Sequence, residues 1–219
     1  MATATIERNI EAKTEYRIVL ASPSPARLEF LQQLGVELEV MPGILEDVVG
    51  ERNAEGLVQT RAVMQASTTR IVCNAKYGSN PTNRIRRFIL GLDTVIIHDG
   101  DLITRPGSRA EAKKILMKLS DQTHSVMTGI AIIDPDNKVS CSVQTTEVTF
   151  RKIEEAEVDF YLHSNEAMYH VGGYSLQGIG SIFVKGLSGC YANALGIPLP
   201  FISAILRGRG LPVLGMDHN

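Results

Sequence analysis

The residue best placed to do chemistry is Asp93, which lies inside the apolar run "ILGLDTVII" at positions 89–97. Burying a carboxylate costs free energy unless the group is paired, binds a metal or faces a cleft. We therefore expect Asp93 to face a cleft, where it could hold a divalent cation or accept a proton from water. The alternative is a turn at this position, with the carboxylate in solvent.

Two hydroxyl groups and a guanidinium group follow an apolar strand in "LASPSPAR", at positions 20–27. A strand that runs through a turn into a helix gathers unpaired backbone N–H groups at the positive end of the helix dipole, which favours phosphate binding. Ser22 and Ser24 would add donors, and Arg27 would add a forked charge that fits phosphate oxygens. Taken alone, the stretch is explained equally simply by a capped helix with a solvated arginine, and that interpretation is favoured.

A third stretch, "GGYSLQGIG" at positions 172–180, contains four glycines. Glycine permits either a close approach of the backbone to a ligand or a sharp turn, and the sequence does not separate the two. Gln177 is more informative, because a side-chain amide can both donate to and accept from the edge of a nucleotide base. The surrounding glycines are too mobile to fix that amide by themselves, so base discrimination would require another element that holds Gln177 in place.

Composition limits the classes of protein that could position these residues. The chain has 219 residues, of which 44% are hydrophobic, and a formal charge of -2. It can bury one substantial core, in one domain or two joined lobes, and its charge argues against a nucleic-acid or membrane-surface binder. The three cysteines are odd in number and lack metal-site spacing, and no apolar run approaches the roughly 20 residues of a membrane span. Together with the absence of a secretory segment, these features predict a cytoplasmic protein.

Strands and helices alternate along the chain, which predicts an α/β or α+β fold. Residues 1–15 are predicted to be a flexible N-terminal tail, residues 16–213 the folded domain, and residues near 71–88 a surface insertion. Ser24 and Ser108 are predicted helix caps, and Asp99–Gly100 a hairpin turn. The predicted strands are 17–21, 36–41, 88–98, 124–134, 139–150 and 181–186, and the predicted helices are 25–35, 54–67, 108–120, 154–163 and one within 201–210.

The order and spacing of several stretches resemble those of the Maf family of nucleoside triphosphate pyrophosphatases. These stretches are the three described above together with "GLDTVIIHDGDLITRP", "LSDQTHSVMTG" and "GCYANALGIPLP". The resemblance extends from about Arg17 to Leu211. It implies a mixed sheet with flanking helices and two lobes around a central cleft, similar to the inosine triphosphate pyrophosphatases. It also implies hydrolysis of a nucleoside triphosphate to the monophosphate and pyrophosphate with a divalent metal, Mg²⁺ or Mn²⁺.

The resemblance assigns roles to individual residues. Asp93 matches the proton acceptor and Glu46 the second catalytic acid, and both match the metal-binding positions. The substrate-binding positions fall on Ser22, Ser24, Arg27, Arg61, Thr94, Arg105, Gln177 and Gly178. The sequence departs from the family at Ala26, where the first of two arginines is expected, and at Arg61, Arg105 and His170, where lysine is usual. His124 matches a family position as well, but a structural histidine on a strand is the favoured interpretation.

Thr94 and Gln177 resemble the branch of the family that hydrolyses pyrimidine nucleotides, so dTTP, UTP and modified pyrimidine nucleotides are the expected substrates. Two alternatives stay open: a 7-methyl-GTP pyrophosphatase, and a non-catalytic regulatory protein that binds nucleotides or nucleic acid. Retention of Asp93 and Glu46 argues against the non-catalytic alternative. A small-molecule nucleotide is the expected partner, without membrane or nucleic acid, and a homodimer is possible because family members often dimerise.

Overall fold

A computed structural model describes residues 15–22, 24–43, 53–78 and 85–214 of the chain. In these residues the strands are β1 (Glu15–Leu20), β2 (Glu37–Val40), β3 (Ile85–His98), β4 (Asp101–Ile103), β5 (Thr123–Ile133), β6 (Val139–Phe150) and β7 (Val184–Ser188). The helices are α1 (Pro25–Gln32), α2 (Ala54–Tyr77), α3 (Arg109–Leu119), α4 (Glu155–Tyr161), α5 (Tyr191–Ala194) and α6 (Leu199–Gly208). Short 3₁₀ turns cover Leu162–Ser164, Glu166–Tyr169, Val171–Gly173 and Ile179–Phe183.

The described strands form one seven-stranded mixed sheet in the order β2-β1-β3-β5-β6-β7, with β4 paired to β3. β1 is parallel to both β2 and β3, and the remaining neighbours are antiparallel. The predicted mixed sheet with flanking helices is therefore confirmed. Among the described residues, no helix combines the length and the apolar character that a membrane crossing requires.

Local sequence signals explain where several elements begin and end. The Ser24 side chain caps α1 by accepting a hydrogen bond from the backbone N–H of Arg27, at 3.5 Å. β3 and β4 are joined by Asp99 and Gly100, which both have positive φ, of 51° and 81°, as expected for an Asp-Gly hairpin turn. Ser108 caps α3 as predicted. These caps and turns confirm the predictions made from the sequence.

The predicted insertion near 71–88 differs from the structure. Helix α2 extends to Tyr77, ten residues beyond the predicted end at Ser67, and residues 85–88 already belong to β3 and pair with β1. Two polar residues in this part of the helix have hydrogen-bond partners in the fold: the buried Thr69 donates from its hydroxyl to the Met41 carbonyl, at 3.0 Å, and the half-buried Arg70 donates to the Ile133 carbonyl at the end of β5, at 3.1 Å. Residues 79–84 lie outside the described residues, so the described flanks of the stretch are regular structure.

Two hydrophobic cores lie on one face of the sheet. Leu92 and Ile130 belong to a core covered by α1 and α6, whereas Ile96 and Val126 belong to a second core covered by α3 and α4. On this face of the sheet a threonine lies between the members of each pair on one strand, Thr94 on β3 and Thr128 on β5, so the two cores are divided along the middle of these strands.

Helix α2 packs on the opposite face of the sheet, where two glycines make room for it. A Cβ at Gly91 would lie 2.1 Å from the Ala62 carbonyl oxygen, and a Cβ at Gly129 would lie 2.1 Å from the Val58 carbonyl oxygen. Both distances are far below a permitted contact, so the helix backbone can approach this closely only because both residues are glycine. The residues of α2 next to Ala62 consequently lie directly over β3.

The predicted tail falls almost entirely outside the described residues, which begin at Glu15. Glu15 is the first residue of β1 and pairs with Ile85 of β3. The predicted boundary between the tail and the domain therefore differs from the observed first strand residue by one position.

Candidate active site

The candidate site lies at an open edge of β3. β1 pairs with β3 only as far as Leu20 and Leu90, and β4 begins to pair with β3 at Ile96. Between these points, residues 91–95 of β3 have no strand partner on this edge among the described strands, although β5 pairs along the other edge. We call this segment, residues 91–95, the β3 notch. The chain leaving β1 through Ser22 passes beside it.

The Arg27 guanidinium fills part of the notch from the first turn of α1. Its Nη1 donates to the Leu92 carbonyl, at 2.8 Å, and to the Ser22 hydroxyl, at 3.0 Å. Its Nη2 donates to the Thr94 hydroxyl, at 2.8 Å, and its Nε donates to the Gly196 carbonyl, at 3.0 Å. An arginine has five N–H donors. These contacts hold the guanidinium in one orientation, and one of its N–H groups has no partner among residues 15–22, 24–43, 53–78 and 85–214.

Burial lowers the pKa of Arg27 to about 10, and the negative charge of Asp93 opposes this decrease. The guanidinium is therefore charged at neutral pH. A positive charge held between the end of β1 and the middle of β3 favours an anion at the notch.

Asp93 points to the face of the sheet opposite Thr94, because consecutive strand residues alternate between faces. This face carries α2, and the Asp93 Oδ2 lies 3.7 Å from the Arg61 Nη1. Oδ2 is buried and makes no hydrogen bond within the described part of the chain. Burial raises the pKa of Asp93 above its ordinary value, while the charges of Arg61 and Arg27 act in the opposite direction. Oδ2 therefore lies beside the Arg61 charge but lacks a hydrogen-bond partner, so it keeps the capacity to bind a cation or to accept a hydrogen bond from water.

The donor set fits a divalent cation that is also held by substrate. The described residues contain no group of three His, Cys, Asp or Glu side chains arranged to hold a metal by themselves. Mg²⁺ is commonly bound by one or two carboxylates together with substrate phosphates, so the unpartnered oxygen of Asp93 suits this arrangement. Glu46, the other predicted metal ligand, lies outside the described residues.

The two serines use their oxygens as acceptors within the protein. Ser22 accepts from Arg27 Nη1, and Ser24 accepts from the Arg27 backbone N–H. A hydroxyl also carries one donor hydrogen, and neither serine donates it to another residue in the described part of the chain, so each O–H could meet a phosphate oxygen. The helix cap and the predicted phosphate seat are therefore compatible uses of the same side chains.

The remaining predicted residues lie elsewhere. Arg105 is exposed just after β4, next to Thr104, whose carbonyl accepts from the Gly172 N–H at 3.1 Å. Gln177 is also exposed: its backbone N–H donates to the Ser175 hydroxyl, at 3.2 Å, whereas its side-chain amide makes no hydrogen bond to any described residue. Gly178 lies against a carboxylate of the protein: a Cβ there would lie 2.0 Å from the Glu166 Oε2. Six of the predicted residues are thus grouped at the notch: Ser22, Ser24, Arg27, Arg61, Asp93 and Thr94. Within the described residues, no hydrogen bond or ion pair joins Arg105, Gln177 or Gly178 to this group.

Two residues at the notch were missed by the sequence reasoning. The Thr128 hydroxyl on β5 lies 3.1 Å from the Thr94 hydroxyl, between the two hydrophobic cores. Gly196 follows α5 with a φ of 77°, and a Cβ there would lie 2.8 Å from the Thr94 hydroxyl. Two features of the sequence could have indicated these residues: a threonine, Thr128, within the apolar run of β5, and the second glycine, Gly196, of "GCYANALGIPLP".

The chain is similar in sequence to known proteins over most of its length. The sequence model of the family described as Maf-like protein matches residues 17–209. A dTTP/UTP pyrophosphatase of Ruminiclostridium cellulolyticum is 33% identical over 191 residues, covering 87% of this chain and 94% of the relative. A dTTP/UTP pyrophosphatase of Bacillus cereus is 35% identical over 190 residues, covering 86% of this chain and 88% of the relative. The solved structure of the Staphylococcus aureus Ham1 protein aligns with a TM-score of 0.47 at 14% identity, covering 88% of this chain and 99% of that chain. The family match and the identity to these relatives extend over most of the chain, which therefore belongs to the Maf family.

Proposed function

We propose that the chain is a nucleoside triphosphate pyrophosphatase, which hydrolyses the bond between the α and β phosphates and releases the nucleoside monophosphate and pyrophosphate. The observation that carries the proposal is the unpartnered carboxylate oxygen of Asp93, at a notch that also holds the charged groups of Arg27 and Arg61. The names of the two relatives, both dTTP/UTP pyrophosphatases, support the same reaction.

The proposed phosphate contacts follow from the donors that the protein leaves free. A triphosphate carries close to four negative charges, so cleavage requires cationic groups and hydrogen-bond donors around the phosphates. The O–H groups of Ser22 and Ser24 and the remaining N–H of Arg27 provide donors at the end of β1. Arg61 provides a second guanidinium on the α2 side, and Arg105 is proposed to provide a third cation.

Asp93 is proposed to accept the proton of the attacking water. A base works best when its pKa is near the working pH, and burial raises the pKa of this carboxylate toward that range. Arg61 and Arg27 oppose this rise of the pKa, because both favour the charged form of the carboxyl group. Asp93, with Glu46, would also hold the divalent cation, Mg²⁺ or Mn²⁺, and the bound cation would offset the negative charge of the phosphates.

Pyrimidine triphosphates, dTTP and UTP, are the proposed substrates. The relatives' names support this choice, and the exposed Gln177 amide offers one acceptor and two donors to a base edge. The Thr94 hydroxyl is hydrogen-bonded to the Arg27 guanidinium and to the Thr128 hydroxyl. Its proposed contribution is therefore to orient the Arg27 guanidinium toward the phosphates. The cytoplasmic location and the homodimer remain predictions.

Pyrophosphate release tests the proposal directly. We would measure it with UTP, dTTP, CTP, ATP, GTP and 7-methyl-GTP, each with Mg²⁺, with Mn²⁺ and with a chelator. The expected result is metal-dependent release, with UTP and dTTP first, CTP weaker, and the purine nucleotides poor. Release led by 7-methyl-GTP would replace the pyrimidine assignment, and nucleotide binding without release from any compound would contradict an enzymatic role.

A further inference from the structure

Glu166 binds the backbone of the glycine-rich loop that carries Gln177. Its Oε2 accepts a hydrogen bond from the Ile179 N–H, at 2.8 Å, and its Oε1 accepts one from the Gly180 N–H, at 2.9 Å. Hydrogen bonds to an ionised carboxylate are roughly twice as strong as neutral ones. The carboxylate therefore fixes the backbone two and three positions after Gln177.

Gly178 is explained by this carboxylate. A Cβ at Gly178 would lie 2.0 Å from the Glu166 Oε2, whereas a Cβ at Gly180 would meet the Ser175 backbone nitrogen, at 2.9 Å, as well as the Glu166 Oε1, at 3.0 Å. Gly178 has a φ of -113°, which any residue can adopt, so its backbone conformation does not require glycine. The requirement comes from contact with Glu166, inside the protein.

The start of the loop is fastened as well. The Tyr161 hydroxyl lies 3.0 Å from the Glu166 Oε1 and 3.2 Å from the Gly173 carbonyl oxygen, so its single proton can be donated to either acceptor. The next residue, Tyr174, is bonded through its hydroxyl to the buried His124 of β5, at 2.8 Å. Gln177 is thus the exposed part of a loop that is held at both ends.

We propose that Glu166 is a positioning residue that fixes the Gln177 amide and thereby sets the selectivity among pyrimidine bases. The inference rests on the proposed function, because it requires Gln177 to read the base. A side-chain amide can pair with the donor and acceptor edge of uracil or thymine, or with the reversed edge of cytosine when it is turned over. A backbone held by two bonds to Glu166 limits where the amide can lie and so favours one of these pairings.

A double-mutant cycle tests the inference. Gly178→Ala in the parent should force the Glu166 carboxylate out of place and reduce the ratio of kcat/KM for UTP to kcat/KM for CTP about tenfold, as expected for residues in direct contact. Glu166→Ala should also reduce this ratio. In the Glu166→Ala background, Gly178→Ala should change the ratio less than about twofold, because the carboxylate that it would meet is gone. Glu155→Gln is the matched control, since this carboxylate is exposed and, among the described residues, forms an ion pair with Lys113 alone.

Glu166→Gln gives a second readout that is gentler on folding. The amide replaces one accepting oxygen by a donor, so one of the two loop N–H groups should lose its partner. Hydrogen exchange of one of these two amides, Ile179 or Gly180, should accelerate at least tenfold, while amides of β3 and β5 exchange as in the parent. An active parent whose UTP-to-CTP ratio and loop exchange are unchanged by Glu166→Gln would overturn the inference and leave the proposed function intact. A parent that releases no pyrophosphate would overturn both.

Discussion

The stability of the fold should depend on pH through His124. This histidine is buried, its Nε2 lies 2.8 Å from the Tyr174 hydroxyl oxygen, and its buried Nδ1 has no partner in the described residues. Burial lowers the pKa of the imidazole to about 4, with a smaller contribution from His98. A protonated imidazole would need an acceptor at both nitrogens, and the core provides one only at Nε2.

The size of the effect follows from proton linkage. The unfolded imidazole titrates near its ordinary pKa of 6.5 and the folded one near 4, so the unfolded chain binds more protons between these values. The contribution of neutral His124 to stability is complete above pH 6.5 and is lost as the pH falls toward 4. The free energy of unfolding changes by about 1.36 kcal/mol for each pH unit between these two pKa values. It should therefore be lower by about 2 kcal/mol at pH 5 and by about 3 kcal/mol at pH 4 than above pH 6.5.

Urea unfolding at pH 7.5 and pH 5.0 measures this loss, with the parent compared against His124→Gln. The variant keeps a polar group near Tyr174 but cannot titrate, so its loss of unfolding free energy should be smaller than that of the parent by about 2 kcal/mol. His163→Gln is the control, because His163 is exposed, and it should follow the parent. If His124→Gln loses as much stability between the two pH values as the parent, then the buried neutral imidazole is not the cause.

Two further substitutions test the architecture of the site. Arg27→Ala should lower kcat/KM for UTP and for GTP by the same factor. It should also lower the free energy of unfolding by about 2 kcal/mol, because the Leu92 carbonyl loses its hydrogen-bond partner. A changed order of preference among the nucleotide bases would contradict a role in phosphate binding. Gly129→Ala should cost about 1–3 kcal/mol in urea unfolding and reduce activity, because the new Cβ pushes α2 away from the sheet. Gly186→Ala, where a Cβ meets open space, is the control. Equal stability of the two glycine variants would contradict the close packing of α2.

Local signals in the sequence predicted much of the fold. The Ser24 cap, the Asp99–Gly100 turn and the strand around Asp93 each depend on residues close together in the chain, and each is present in the structure. The C-terminal part of α2 was not predicted, because its polar Thr69 and Arg70 donate hydrogen bonds to carbonyls just after β2 and at the end of β5. Such partners are distant in the sequence and become evident only in the folded chain.

The site could be predicted only in part for the same reason. The family resemblance indicated Ser22, Arg27 and Thr94, and the structure places them in mutual contact. The sequence could not show that Arg27 is held by Gly196, which lies 169 residues away. Nor could it show that Gly178 is required by a glutamate of the protein, since a glycine needed for a ligand and one needed for a neighbouring side chain look the same in the sequence.

The rate of pyrophosphate release by Asp93→Asn tests the central claim, that the notch is the catalytic site. The substitution keeps the shape of the side chain and removes its charge, so the protein should fold as the parent does. Asp99→Asn is the matched control: its side chain is 81% exposed, and its left-handed conformation is one that asparagine tolerates well. With UTP and Mg²⁺, the Asp93→Asn rate should fall by roughly 10² or more while Asp99→Asn retains the parent rate. A folded Asp93→Asn variant that releases pyrophosphate at the parent rate would contradict the account.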